Sequence, residues 1–143
     1  MNAKETIITH IKSLIDAALA GVDYKLTRNL TYNYKTMPAS KPLILLFDNG
    51  LEVAQRDGNY KVYSFNLELI LRIAYPEAAN PLSENISTIT NKIEDLLITA
   101  FDNTQGVVDN IRFATEITDC IRDVYDNAVF ETITIKVTFL IGG

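Results

Sequence analysis

Tryptophan is absent from this sequence, and cysteine and histidine occur once each. A lone Cys120 excludes an internal disulfide and any cysteine-rich zinc site. With Ile121 and Val124 close by, it is expected to be a small buried hydrophobe and not a reactive thiol. A lone His10 cannot build a histidine-rich metal site. Nucleotide-binding glycine loops are missing as well. Gly50, Gly58 and Gly106 stand singly, Gly142 and Gly143 are the last two positions, and no serine sits in a Gly-x-Ser-x-Gly elbow.

Long apolar runs are also lacking. The stretch from Leu43 to Phe47 is far shorter than the roughly 20 residues that cross a bilayer, so no membrane association is expected. Residues Met1 to Thr9 show no basic flank followed by an apolar run, and no signal peptide is expected. The sequons at Asn29-Leu30-Thr31 and Asn85-Ile86-Ser87 then read as chance matches. The thirteen basic residues are dispersed and the net charge is −5. A phosphate backbone meets little attraction on such a surface, which argues against specific nucleic-acid binding.

What is present is a chain of 143 residues, long enough for one domain over residues 1–143 that buries roughly 68% of its unfolded surface. Asn2 and Glu5 have the spacing of a capping box. Behind them Ile7, Ile8, Ile11, Leu14, Ile15, Ala18 and Leu19 recur at helical spacing, with Gly21 as a stop. Residues 24 to 34 alternate loosely through Tyr24, Leu26, Leu30, Tyr32 and Tyr34, as a strand or extended arm does. Met37 to Pro42 reads as a loop, Leu43 to Phe47 as a short strand, and Leu51 to Arg56 as another.

Asp57-Gly58-Asn59 is the clearest hairpin turn, because Asp and Gly tolerate positive φ. Beyond it Tyr63, Phe65, Leu67, Leu69, Leu71, Ile73 and Tyr75 share one parity, the pattern of a strand with one face on a core. Asn80-Pro81 opens a second helix. Its buried stripe is Leu82, Ile86, Ile89, Ile93, Leu96, Leu97 and Ala100, and Gln105-Gly106 closes it. A strand through Ile111, Phe113, Thr115 and Ile117 follows, then a polar connector holding Asp119 to Asn127. A final strand runs from about Val129 to Ile141. The element order predicts an α+β fold: a mainly antiparallel sheet of about four to five strands with two principal helices on one face.

The chemistry these residues can support is thin. His10 lies on the flank of the first helix, as a surface or interface residue. Glu94 and Asp95 border an apolar stripe, as a solvated helix edge requires. Asp102, Thr104 and Gly106 fail as a calcium loop, because the terminal glutamate and the other oxygen ligands are missing. Asp119, Asp123 and Asp126 have no histidine, serine or cysteine beside them in a known catalytic spacing and read as an ionic interface contact, not as acid–base catalysts. The tyrosines, Tyr32 and Tyr34 among them, read first as ordinary sheet residues and also suit a protein interface. No catalytic, cofactor or metal residue is assigned.

The arrangement resembles a known family. An amphipathic first helix precedes a Pro-Leu-Ile-Leu-Leu-Phe strand at residues 42 to 47. A hairpin then leads into the strand from Val62 to Tyr75, the helix from Ile86 to Phe101 and a closing strand from Ile133 to Leu140. This pattern is similar to the tail terminator and tail completion proteins of tailed bacteriophages, and to related neck or head–tail joining components. The resemblance implies a non-enzymatic virion subunit, assembled in the bacterial host cytoplasm. Such a subunit forms a ring, usually a hexamer, between the tail tube and the neck or head-completion proteins.

The resemblance implies that the connector from Thr118 to Asn127 is an assembly loop. It fixes no individual residue, so the interface candidates remain Tyr32, Tyr34, His10, Asp119, Asp123 and Asp126. The alternative is an intracellular adaptor or regulatory module that binds a protein through its sheet surface. A strand from Tyr60 to Tyr75 would stretch about 50 Å at roughly 3.3 Å per residue, whereas the first helix spans only about 27 Å. On that ground a second subunit is expected to cover part of the sheet.

Overall fold

The computed structural model describes residues 2–28, 42–57, 60–74, 84–125 and 128–142. Helix α1 is Ala3–Ala18, β1 Lys25–Thr27, β2 Leu43–Asp48, β3 Glu52–Asp57, β4 Tyr60–Ala74, α2 Glu84–Phe101, β5 Thr104–Val108, β6 Ile111–Tyr125 and β7 Ala128–Gly142. The fold is α+β, with two helices and a mixed sheet. Strand order is β1-β2-β4-β7-β6-β5, with β3 also pairing β4. Every neighbouring pair is antiparallel except β1 with β2. The described strands outnumber the four to five expected. β1, at three residues, is too short to display a period-two pattern, and β5 alternates in burial while its residues, Thr104-Gln105-Gly106-Val107-Val108, do not alternate in polarity.

Helix α1 starts where its cap predicts. Asn2 Oδ1 accepts from the amides of Lys4 at 2.9 Å and Glu5 at 3.4 Å, satisfying two donors that a first turn leaves open. The reciprocal half of the capping box is not made. The Glu5 carboxylate is instead held by Arg28, at 2.8 Å from Nη1 and 3.2 Å from Nη2.

Strands β4 and β7 pair over their whole length, from Tyr60 opposite Gly142 to Ala74 opposite Ala128. Their odd-numbered residues fall on one face. Phe65, Leu67, Leu69, Leu71 and Ile73 meet Ile133, Ile135, Val137 and Phe139 there, under Ile7, Ile8, Ile11 and Ile15 of α1 and Ile93, Leu97 and Phe101 of α2. Each such side chain stabilises the fold by about 1.5–3 kcal/mol through burial. Both helices therefore cover this face from within one chain. From Phe65 to Ile73 the core side of β4 is buried within the single subunit, so this stretch does not need a second copy to shield it.

Two sequence expectations fail in the C-terminal half. Helix α2 stops at Phe101, and Gln105 and Gly106 belong to β5. The β5–β6 turn was not anticipated; it is Asp109-Asn110, both at positive φ (48° and 63°), a conformation those side chains tolerate. The polar connector does not exist as such, because β6 continues through Asp119 to Tyr125. The reason is a bulge. Ile117 lies opposite Ile135, but the next partner of Thr134 is Asp119, so Thr118 is an extra residue. Up to Ile117 odd positions face the helices. Beyond it Cys120, Arg122 and Val124 take that face, and Asp119, Ile121 and Asp123 turn away.

Candidate interaction surface

Only the first part of β6 is paired on both sides. β5 covers Ile111 to Thr115, and among the described residues no strand lies beyond β6 from Glu116 to Tyr125. The open edge carries backbone groups able to pair with another strand. Its side chains from Thr118 to Val124 are exposed on both faces. Ile121 and Val124 are 52% and 53% exposed. On the face away from the helices, Asp119, Ile121 and Asp123 make an acidic stripe with an apolar centre.

The sequence candidates divide accordingly. Asp119 and Asp123 come together on this stripe, on a strand and not on a loop. Asp126, Tyr32 and Tyr34 lie outside the described residues. His10 is not part of the surface. It is half-buried, and its ring meets Phe113 edge-on at 5.8 Å between centroids, tying α1 to β6. Cys120 is exposed, which corrects the expectation of a buried thiol. Its apolar neighbours are themselves exposed, so they provide no core for it.

A second feature of the same outer face is a trough of about 610 Å³ where β4, β7, β6 and β5 lie side by side. Val62, Val107, Ala114 and Leu140 line it, with Arg112 among them. Val107 and Leu140 are both exposed.

Sequence reasoning missed the cluster on the opposite face of β6. Arg122 Nε donates to Glu131 Oε1 at 2.8 Å, and Nη2 reaches Glu94 Oε2 at 2.8 Å and Asn91 Oδ1 at 2.9 Å. Glu131 is only 2% exposed. Burial, joined by the nearby Glu94 carboxyl and opposed by Arg122, pushes its pKa up to about 7. The signal was available, because Glu131 is in phase with Ile133 and Ile135, where a charge is out of place. A second ionic group joins the start of α1 to the sheet. Asp48 accepts from Lys4 Nζ at 2.5 Å and from Arg28 Nη2 at 3.0 Å, and Arg28 also holds Glu5.

Among the described residues no group of three or more His, Cys, Asp or Glu side chains is placed to hold a metal ion. None of the described helices is long and apolar enough to cross a membrane. No family model and no curated protein matches the chain. Solved structures do match. One covers 97% of this chain and 96% of its own length, at 12% identity and a TM-score of 0.49.

Proposed function

We propose that this chain is a non-enzymatic structural subunit that assembles with copies of itself. The kind we favour is the ring-forming tail terminator or tail completion protein, with the tail-terminator-like fold that this reading implies. The observation that carries the reading is the open edge of β6 from Glu116 to Tyr125, with Ile121 and Val124 exposed on its two faces. Unpaired strand edges of this length are managed in proteins by covering or pairing them. A head-to-tail contact repeated around a ring pairs every such edge without leaving a free one. The partners implied are the tail tube on one side and neck or head-completion proteins on the other, in a virion assembled in the bacterial cytoplasm.

Light scattering on the chromatographed protein tests the reading, over concentrations from micromolar to millimolar. A discrete species near six times the 16.0 kDa subunit mass is expected. A monomer throughout that range overturns self-assembly. A dimer replaces the ring with the adaptor reading.

A further inference from the structure

We propose that Glu131, Glu94 and Arg122 form a proton-operated latch between helix α2 and the open edge strand β6. Three elements meet at this point. Glu131 comes from β7, Arg122 from its register partner on β6, and Glu94 with Asn91 from α2. Arg122 Nε donates to Glu131 Oε1, but among the described residues Glu131 Oε2 is buried without a hydrogen-bond partner. A buried carboxylate oxygen with nothing to accept from is costly, by the full desolvation of that atom. A proton on Oε2 converts it from an orphan acceptor into a donor, and the Glu94 carboxylate is the neighbour within reach.

Among the described residues, the groups facing Glu131 come from three elements. From β6 come Arg122 and the thiol of Cys120, whose pKa is raised by burial and by Glu94, Glu131, Asp119 and Asp102. From α2 come Glu94 and Asn91. From β4 the register partner is Leu71, which carries no charge. One guanidinium therefore serves two carboxyl groups in an otherwise acidic neighbourhood. With one shared proton the cluster of Glu131, Glu94 and Arg122 is neutral and fully bonded. Without it the cluster carries one net negative charge, part of it on a buried oxygen that needs water. Water enters only if α2 and β6 separate, so deprotonation loosens the contact.

The sign follows from linkage. The Glu131 pKa rises from the ordinary 4.5 to about 7 on folding. Its contribution is complete below the unfolded value, falls as pH rises between the two values, and is spent above 7.

Two measurements test the latch in the intact protein, and both read contacts within the subunit, so they do not depend on ring assembly. Carboxyl NMR should show Glu131 titrating near neutrality. Amide exchange, corrected for intrinsic rate, should show protection in α2 and in β6 beyond Thr118 falling at least about tenfold from pH 5.5 to pH 8. Glu131→Gln should flatten that profile, and Glu94→Gln should move its midpoint to lower pH. A Glu131 carboxyl titrating in the ordinary carboxylate range overturns the proposal. Protection that does not change with pH, or a Glu131→Gln profile parallel to the parent's, does the same. Should Glu131→Gln fail to fold, the NMR titration of the unaltered protein decides alone.

Discussion

The ring of Phe113 fills the space that a side chain at Gly106 would need. A Cβ built on Gly106 would lie 2.6 Å from Phe113 Cζ and 2.9 Å from Cε1. The two residues are register partners across β5 and β6. Phe113 is buried and cannot swing away freely, because His10 of α1 sits against its ring. Gly106→Ala should therefore destabilise the protein by about 1–3 kcal/mol, the usual cost of overpacking. Denaturant titration measures it. Combining it with Phe113→Leu should recover part of the loss, and strictly additive losses would show that the ring is not the obstacle.

The Lys4–Asp48–Arg28–Glu5 group makes a prediction with a defined sign. Hydrogen bonding from Arg28, more than its charge, holds the Glu5 carboxyl below its ordinary value against the opposing effect of burial. A depressed folded pKa contributes stability that is present above the unfolded value and lost as pH falls through the folded one. The stability difference between the parent and Glu5→Gln should accordingly shrink on acidification. Because Glu5 is half exposed, the effect is small and screened by salt. Asp48→Asn, which weakens the bonds to both cations, should cost more, on the order of 1 kcal/mol. Equal losses for the two variants would show that Asp48 is not the centre of the group.

Assembly through the β6 edge predicts a clean separation of effects. Ile121→Lys alters an exposed side chain, so subunit stability should stay within about 0.5 kcal/mol of the parent. The oligomer seen by light scattering should dissociate, because a lysine on a strand edge opposes pairing. Retention of the oligomer in an Ile121→Lys, Val124→Lys double variant would place the contact elsewhere.

Cys120 should react with a maleimide to completion in the native protein, with no denaturant. Burial, together with Glu94, Glu131 and Asp119, raises its pKa, so the rate near neutrality should lie below that of an unperturbed cysteine and climb with pH. A thiol that labels only after unfolding would contradict its exposed position.

Several features of this fold are legible in the sequence because they are written in local periodicity. The isoleucines of α1, the odd-numbered residues of β4 and those of β7 identify their own buried faces, since a strand or helix repeats its facing every few residues. Beyond Ile117 that logic breaks down. Asp119 and Asp123 occupy positions in phase with Phe113 and Thr115, and a reader who extends the alternation sees polar residues where a core should be. Thr118 resolves the conflict by shifting the phase by one, and nothing in its identity announces that it does so. The two tyrosines and Asp126 of the expected surface lie outside the described residues.

By itself the sequence determined which helices form, where β4 and β7 run and which of their faces is apolar. Tertiary structure alone decided that Phe65 to Ile73 of β4 are buried within one subunit, that β6 runs on to Tyr125 with no described strand beyond it, and that Arg122, Glu94 and Glu131 converge. Those outcomes depend on which residue lies opposite which across strands and helices distant in the chain. Hydrogen-bonded register and side-chain packing set that pairing when the chain folds, and no local pattern encodes it.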